Sequence, residues 1–305
     1  MKTVIINLII ILIMPFIMLG FIKKTKAFWA GRKGVSLLQP FYDFMRLLKK
    51  GIVVSNTTSF IANIAPVIVL SSVIFAGLYV PLAGGLSVIN IEYGFIIFAY
   101  LLGLSKFFAL LCAMDTGSSF EGMGASREAC FTSLIEPAFF IITASACGAC
   151  GIYSFNSFNT FISNINMVSL CVIILAVLAF FIMLVVECSR IPVDDPATHL
   201  ELTMIHEVMI LDNSGFDLAV LTWAPGITMV LISSLILLFI IPSSMPYYIS
   251  LILYLLLYCL IGIVVGTVES GIARIRMSHI LEFVFAMTAL ALVILALITI
   301  RIYGG

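Results

Sequence analysis

The chain has 305 residues, of which 63% are hydrophobic and 10% charged, with a mean hydropathy of +1.25 and a net charge of zero. A soluble domain is about 25% charged, so this composition excludes an ordinary soluble protein and puts the chain in the membrane class. The balanced charge also excludes the basic footprint of a nucleic-acid-binding protein.

Eight apolar runs succeed one another, at roughly 3–22, 60–84, 93–114, 129–151, 166–187, 219–241, 247–268 and 280–301. Each approaches the ~20 residues that cross ~30 Å of hydrocarbon as a helix. Lipid offers no partner for backbone N–H and C=O groups, so an open chain can span it only as helices. The expected fold is therefore all-α. It is an integral membrane helical bundle of about eight transmembrane helices with amphipathic loop helices, one domain over 1–305 with no internal repeat or linker.

The first run follows Lys2 and reaches Ile22. It is too long for a signal peptide, and Lys23, Lys24 and Lys26 follow it where a cleavage site would need small residues, so it reads as a retained span. The loop after it contains QPFYDFMRLLKK (39–50). At helical spacing Phe41, Phe44, Met45 and Leu48 share one face, while Asp43, Arg46 and Lys50 share another. Proline in the first turn suits a helix start, and the pattern predicts an interfacial helix. Arg32, Lys33, Asp43 and Arg46 are candidate contacts for a docked partner.

Lys106 lies inside the third span and needs an opposite charge or a water cavity, with Glu136 or Asp115 as candidate partners. The segment DTGSSFEGMGASRE (115–128) reads as a polar loop, with Glu121, Arg127 and Glu128 as partner contacts or a fixed network. Glu136 stands within the fourth span, just before Pro137. An ionisable group there costs roughly 2.5–3.5 kcal/mol, which makes it a functional candidate by default. Cys147 and Cys150 form the sole close cysteine pair among seven cysteines. No second pair stands at a metal-site spacing, so CGAC reads as small residues packing helices together.

The insert ECSRIPVDDPATHLELTMIHEVMILDNSG (187–215) separates the fifth and sixth spans. Asp195 before Pro196 makes an N-cap followed by proline at the first helical position, predicting a helix from about Pro196 to Leu211. On that helix His199, Thr203 and His206 form a stripe with Glu207 beside it, and Glu201 projects between two apolar faces. One zinc ion cannot bridge histidines seven residues, or ~10 Å, apart on a straight helix, so no metal is expected. The histidine stripe reads as a partner or water contact. Glu187 and Arg190 are spaced to pair, and Glu269 and Glu282 mark the ends of the last two spans.

The loops after spans one, three, five and seven hold twelve of the fifteen lysines and arginines, including Arg274 and Arg276. The other side holds Lys2 and Arg301. That asymmetry predicts cytoplasmic loops on the charged side and both termini outside. No Ser–His–Asp arrangement, phosphate loop or cofactor fingerprint is present.

Four segments together resemble subunit 1 of the respiratory complex I lineage: GRKGVSLLQPFYDFMRLLKKG (31–51), SKFFALLCAMDTGSSFEGMGASREA (105–129), the 187–215 insert and ESGIARIRMSHI (269–280). Glu187, Arg190, Pro192 and Asp194 fit the E-x-x-R-x-P-x-D pattern of quinone-linked members, but Val193 replaces a bulkier residue. DPATHLELTMIHE (195–207) and DTGSSFEGMGASRE are similar to the membrane-bound NiFe hydrogenase branch, including formate hydrogenlyase and ferredoxin-linked types. The resemblance implies a non-catalytic membrane subunit in a prokaryotic cytoplasmic membrane. The NiFe centre and Fe–S clusters would belong to partners, with no cofactor in this chain. The implied partners are the hydrogenase large and small soluble subunits, an Fe–S electron-transfer subunit, antiporter-like membrane subunits and, in one variant, formate dehydrogenase. By analogy Glu136, Glu187, Asp194, Glu201 and Glu207 would connect the redox arm to the ion path, and together with Lys106 and Asp115 they are the proton or ion relay candidates. Arg32, Lys33, Asp43, Arg46, Glu121, Arg127, Glu128, Arg190, Asp195, His199, His206, Arg274 and Arg276 are partner-interface candidates. Two other functions stay open: a quinone-chamber subunit of a complex I-type oxidoreductase, and a stand-alone ion transporter. The two large amphipathic loops argue against the latter.

Overall fold

The computed structural model describes residues 2–55, 57–84, 87–150, 154–156, 167–194, 204–241 and 246–303. Within them lie ten helices: α1 Lys2–Trp29, α2 Gln39–Leu48, α3 Phe60–Tyr79, α4 Gly94–Asp115, α5 Ser119–Cys150, α6 Met167–Glu187, α7 His206–Met209, α8 Gly215–Leu238, α9 Tyr247–Gly271 and α10 Met277–Tyr303. Eight of these are long and apolar enough to cross a membrane, matching the eight apolar runs of the sequence. Helix α8 is the axis of the bundle: 83% of its most apolar window is buried, against 28% for α10. It packs against α1, α3 and α6, while α9 lies along α1 and α10 along α5 and α6. The outward faces stay apolar, as at Ile252, Leu256 and Leu260 of α9, because their solvent is lipid.

Close helix approach depends on small residues, since lipid supplies no hydrophobic drive between helices. A Cβ on Gly266 of α9 would lie 3.0 Å from the carbonyl oxygen of Ile22, and one on Gly262 would lie 3.2 Å from that of Met18. Those two glycines, one turn apart, let α9 seat directly on the α1 backbone.

The segment expected to be a polar loop at 115–128 is mostly helix, because α5 begins at Ser119. Gly117 turns the chain, with φ at +71°, but Gly124 serves contact. A Cβ on Gly124 would meet the Ile205 carbonyl oxygen at 2.8 Å and Val208 Cγ1 at 2.7 Å. Gly124 is thus the seat of α7. The expected helix 196–211 also differs. Met204 and Ile205 are not helical, and only His206–Met209 is. The rest of that expectation, including Asp195, His199, Glu201 and Thr203, lies outside the described residues.

Helix α2 forms where proline in the first turn predicted it, with Pro40 buried. Its apolar face meets the bundle as well as its surroundings. The Phe44 ring lies 4.9 Å from Trp223 and 5.4 Å from Phe16, and Phe41 lies 5.5 Å from Phe16. Aromatic pairs at this spacing add about 0.5–1.5 kcal/mol each beyond burial. Helix α2 is thereby pinned to α1 and α8.

Candidate functional site

The ionic groups gather at one end of the bundle and run inward from it. Lys26 of α1 lies 3.0 Å from Glu269 of α9, whose other oxygen lies 3.6 Å from Arg190. Arg274 pairs with Asp194 at 2.9 Å, and the Ile275 N–H donates to the Pro192 carbonyl at 3.0 Å. The ends of α1 and α9 and the loops that follow α6 and α9 are therefore tied together. Asp194 does more than pair. Its Oδ2 accepts the N–H groups of Ile205 and His206 at 3.0 and 3.1 Å, so one carboxylate anchors the start of α7.

Deeper in, Lys106 of α4 pairs with Glu128 of α5 and lies 3.5 Å from Glu187 Oε2 of α6. It also donates to the Glu187 carbonyl at 3.1 Å. This corrects two expectations. Lys106 is paired with neither Glu136 nor Asp115, and Glu187 faces Lys106 while Arg190 turns to Glu269. The reason is register: Glu128 is one position on a helix that starts earlier than expected, and the chain turns at Ser189, where φ is +48°.

Several partner-interface candidates are instead internal. Glu121 is 1% and Glu128 4% exposed. Glu121 accepts from the Thr116 hydroxyl and, at 3.0 Å, from the Asp212 N–H, closing the junction between α4, α5 and the segment before α8. Arg127 donates to the Met204 carbonyl at 3.0 Å. Asp115 is a cap: its Oδ2 accepts the N–H groups of Ser59 and Ala62 at 2.8 and 3.1 Å, completing the start of α3. Asp43 bonds Gln39 at 2.8 Å and faces Lys23 at 3.8 Å. Arg32, Lys33, Arg46 and Arg276 are exposed at the charged end. Among the described residues no group of three or more His, Cys, Asp or Glu is gathered closely enough to hold a metal ion.

The charged groups line a series of cavities. An outer one of about 90 Å³ is bounded by Arg190, Asp194, His206 and Glu207. An inner one of about 30 Å³ is bounded by Lys106, Glu128, Glu187 and His206. A third, of about 20 Å³, touches Lys106, Glu136 and Glu187. Beyond it an open groove of about 700 Å³ runs between α4 and α5, with Lys106 at its floor and Glu136 on its wall. Water needs about 10–15 Å³ and two to four polar partners, so each cavity has the room and the chemistry for it. Glu136 is exposed on the outer face of the bundle, where Gly103 leaves it room. Burial acts on two groups at the outer cavity. It pushes the His206 imidazole down to about 4, and the Cys188 thiol up to about 12, so both are neutral near pH 7.

Glu269 was marked in the sequence as a helix end, not as a site. Its isolation at the end of an otherwise apolar run was the available signal, and its two cationic partners come from residues more than seventy positions away.

The family model described as NADH dehydrogenase matches residues 1–300. The chain belongs to the NADH dehydrogenase family. Within this family it is of the complex I subunit 1 type. It is 28% identical to hydrogenase-4 component C of Escherichia coli over 77% of this chain and 73% of that protein. It is 27% identical to formate hydrogenlyase subunit 4 of Escherichia coli over 40% of each chain. It is also 27% identical to a subunit of the NADH-quinone oxidoreductase of Salinibacter ruber, over 35% of this chain and 33% of that one. The fold of this NADH dehydrogenase family member is shared with a chain of the membrane-bound sulfane sulfur reductase, an archaeal respiratory membrane complex. The TM-score is 0.82 and the identity 19%, covering 98% of this chain and all of that one.

Proposed function

We propose that this chain is the non-catalytic membrane-anchoring and coupling subunit of a membrane-bound NiFe hydrogenase, of the formate hydrogenlyase or ferredoxin-linked type. The charged end faces the cytoplasm and docks the soluble arm that carries the NiFe centre and Fe–S clusters. Both termini lie outside, and antiporter-like subunits lie alongside in the membrane. Electron transfer in the arm is linked through this chain to proton or sodium movement. The observation that carries this reading is the run of cavities from Arg190 and Asp194, past Lys106 and Glu187, to Glu136 on the lateral groove. A merely adhesive subunit has no need to hold so many ionisable groups at a cost of several kcal/mol each. The likeness to hydrogenase-4 component C supports the hydrogenase assignment.

The test is purification of the assembled complex in mild detergent with identification of its subunits. NiFe-type large and small subunits are expected. Proton or sodium movement per electron in vesicles should fall in Glu136→Gln and Glu187→Gln while assembly persists. Normal ion movement in both removes the route.

The match to the NADH-quinone oxidoreductase of Salinibacter ruber favours a second reading, a quinone-chamber subunit. Quinone reduction that responds to substitutions on α2 would replace the first reading with it.

A further inference from the structure

The inner and outer cavities share a wall. Of the residues lining each, only His206 and Pro225 line both, so among the described residues His206 is the sole titratable side chain common to the two. Its Nε2 is buried and has no hydrogen-bond partner. Buried ring nitrogens are normally satisfied by protein or by ordered water, and here a cavity with charged groups in its lining lies on each side.

We infer that His206 is the proton-transfer residue joining the outer cavity to the inner one. This rests on the coupling role proposed above and adds a step to it. The imidazole is well held for the task. Its backbone N–H is fixed by Asp194 Oδ2 at 3.1 Å, and Asp194 is clamped by Arg274 at 2.9 Å. The turn that carries it sits on Gly124 of α5, where no larger residue fits. A neutral imidazole has one N–H and one lone pair, so it accepts and donates at once. A proton from water in one cavity binds the bare nitrogen, and the proton on the other nitrogen leaves to water in the second cavity. One proton crosses and no electron moves. The ring is left as its other tautomer and resets by rotation about its Cβ–Cγ bond.

The charged groups around it suit passage in either direction. The outer cavity presents Arg190, Asp194 and Glu207, and the inner one Lys106, Glu128 and Glu187 from α4, α5 and α6. The lining residues that α1 and α8 add, Leu19 and the stretch of α8 from Leu221 to Thr228, carry no charge. Cations and carboxylates thus face the ring from both sides, and neither side alone captures the proton.

The test uses the intact complex in sealed vesicles, reading proton movement per electron transferred. In His206→Ala the initial rate of proton movement should fall roughly tenfold or more, since positioned acid–base groups contribute at least that. Millimolar imidazole should restore part of it. His206→Gln keeps the bulk of the ring but cannot exchange a proton at two sites, so it should be as slow and should not respond to imidazole. Wild-type proton movement in His206→Ala overturns the inference. So does a slow His206→Ala that imidazole leaves unchanged while His206→Gln is normal, because that pattern means packing alone. If Glu136→Gln and Glu187→Gln lose proton movement while both histidine variants keep it, the histidine step fails and the coupling role stands. If all four are normal, both fail. Sodium movement with no proton movement overturns the histidine step alone.

Discussion

The Lys106 ammonium lies 3.5 Å from the Glu187 carboxylate and 3.1 Å from the same residue's carbonyl oxygen, with Glu128 against its other side. One cation thereby joins α4, α5 and the end of α6 within a largely apolar bundle. At an effective dielectric of about 20, two unit charges at such a distance attract by roughly 4–5 kcal/mol. Much of that offsets the cost of removing them from water, so the triad specifies an arrangement more than it adds stability.

Lys106→Met leaves two carboxylates facing each other without a cation. A loss of about 3–5 kcal/mol is expected, the usual cost of orphaning a buried charge. Unfolding in detergent should show a lower midpoint. Combining it with Glu128→Gln should recover part of the loss, because one of the stranded charges is removed. A double variant no better than the single would show that the two side chains are not coupled.

Asp115→Ala should cost about 1 kcal/mol through the start of α3, as loss of a capping acceptor does. Proton or sodium movement per electron should be unchanged, because Asp115 bonds Ser59 and Ala62 and lines none of the four cavities on the route. A selective loss of ion movement with unchanged stability would contradict the capping role.

Gly124→Val brings branched bulk against the Ile205 carbonyl, which a Cβ alone would approach to 2.8 Å. Overpacking of this kind costs about 1–3 kcal/mol. It should shift α7 and impair coupling along with stability. The same change at Gly122, where a Cβ meets nothing within 4 Å, should be far milder. Measuring both variants by thermal unfolding separates a packing effect from a general loss of glycine.

The pH dependence follows from His206, whose imidazole burial pushes down from 6.5 to about 4. Between those values the unfolded chain binds a proton that the folded chain does not. Stability is therefore full above about pH 6.5 and declines as pH falls towards 4, by up to roughly 3 kcal/mol. His206→Gln should flatten that part of the stability curve. An unchanged slope in the variant would assign the acid sensitivity to other groups.

The helical bundle was legible in the sequence because hydrocarbon leaves the backbone one solution, and eight apolar runs of sufficient length announce it. Helix α2 was legible for a local reason, proline in the first turn with an apolar face behind it. The polar segment 115–128 misled, because glycine and serine are as useful for close packing as for turning. Gly124 is there for α7, a contact that no local pattern encodes. Glu121 and Glu128 looked like surface charges for the same reason, their neighbours being Asp212, Thr116 and Lys106.

By itself, then, the order of residues determined what is local: the number of spans, their approximate ends, the end of the bundle that carries the charge, and the family motifs. The tertiary structure decided which charge meets which. Lys106 chose Glu128 and Glu187 over Glu136, Arg190 turned to Glu269, Asp115 became a cap, and His206 came to stand between two cavities. Ion pairs and cavities are set by distances of a few ångströms between helices far apart in the chain. A shift of one helical turn, which hydropathy does not register, moves a side chain by about 5.4 Å and changes its partner.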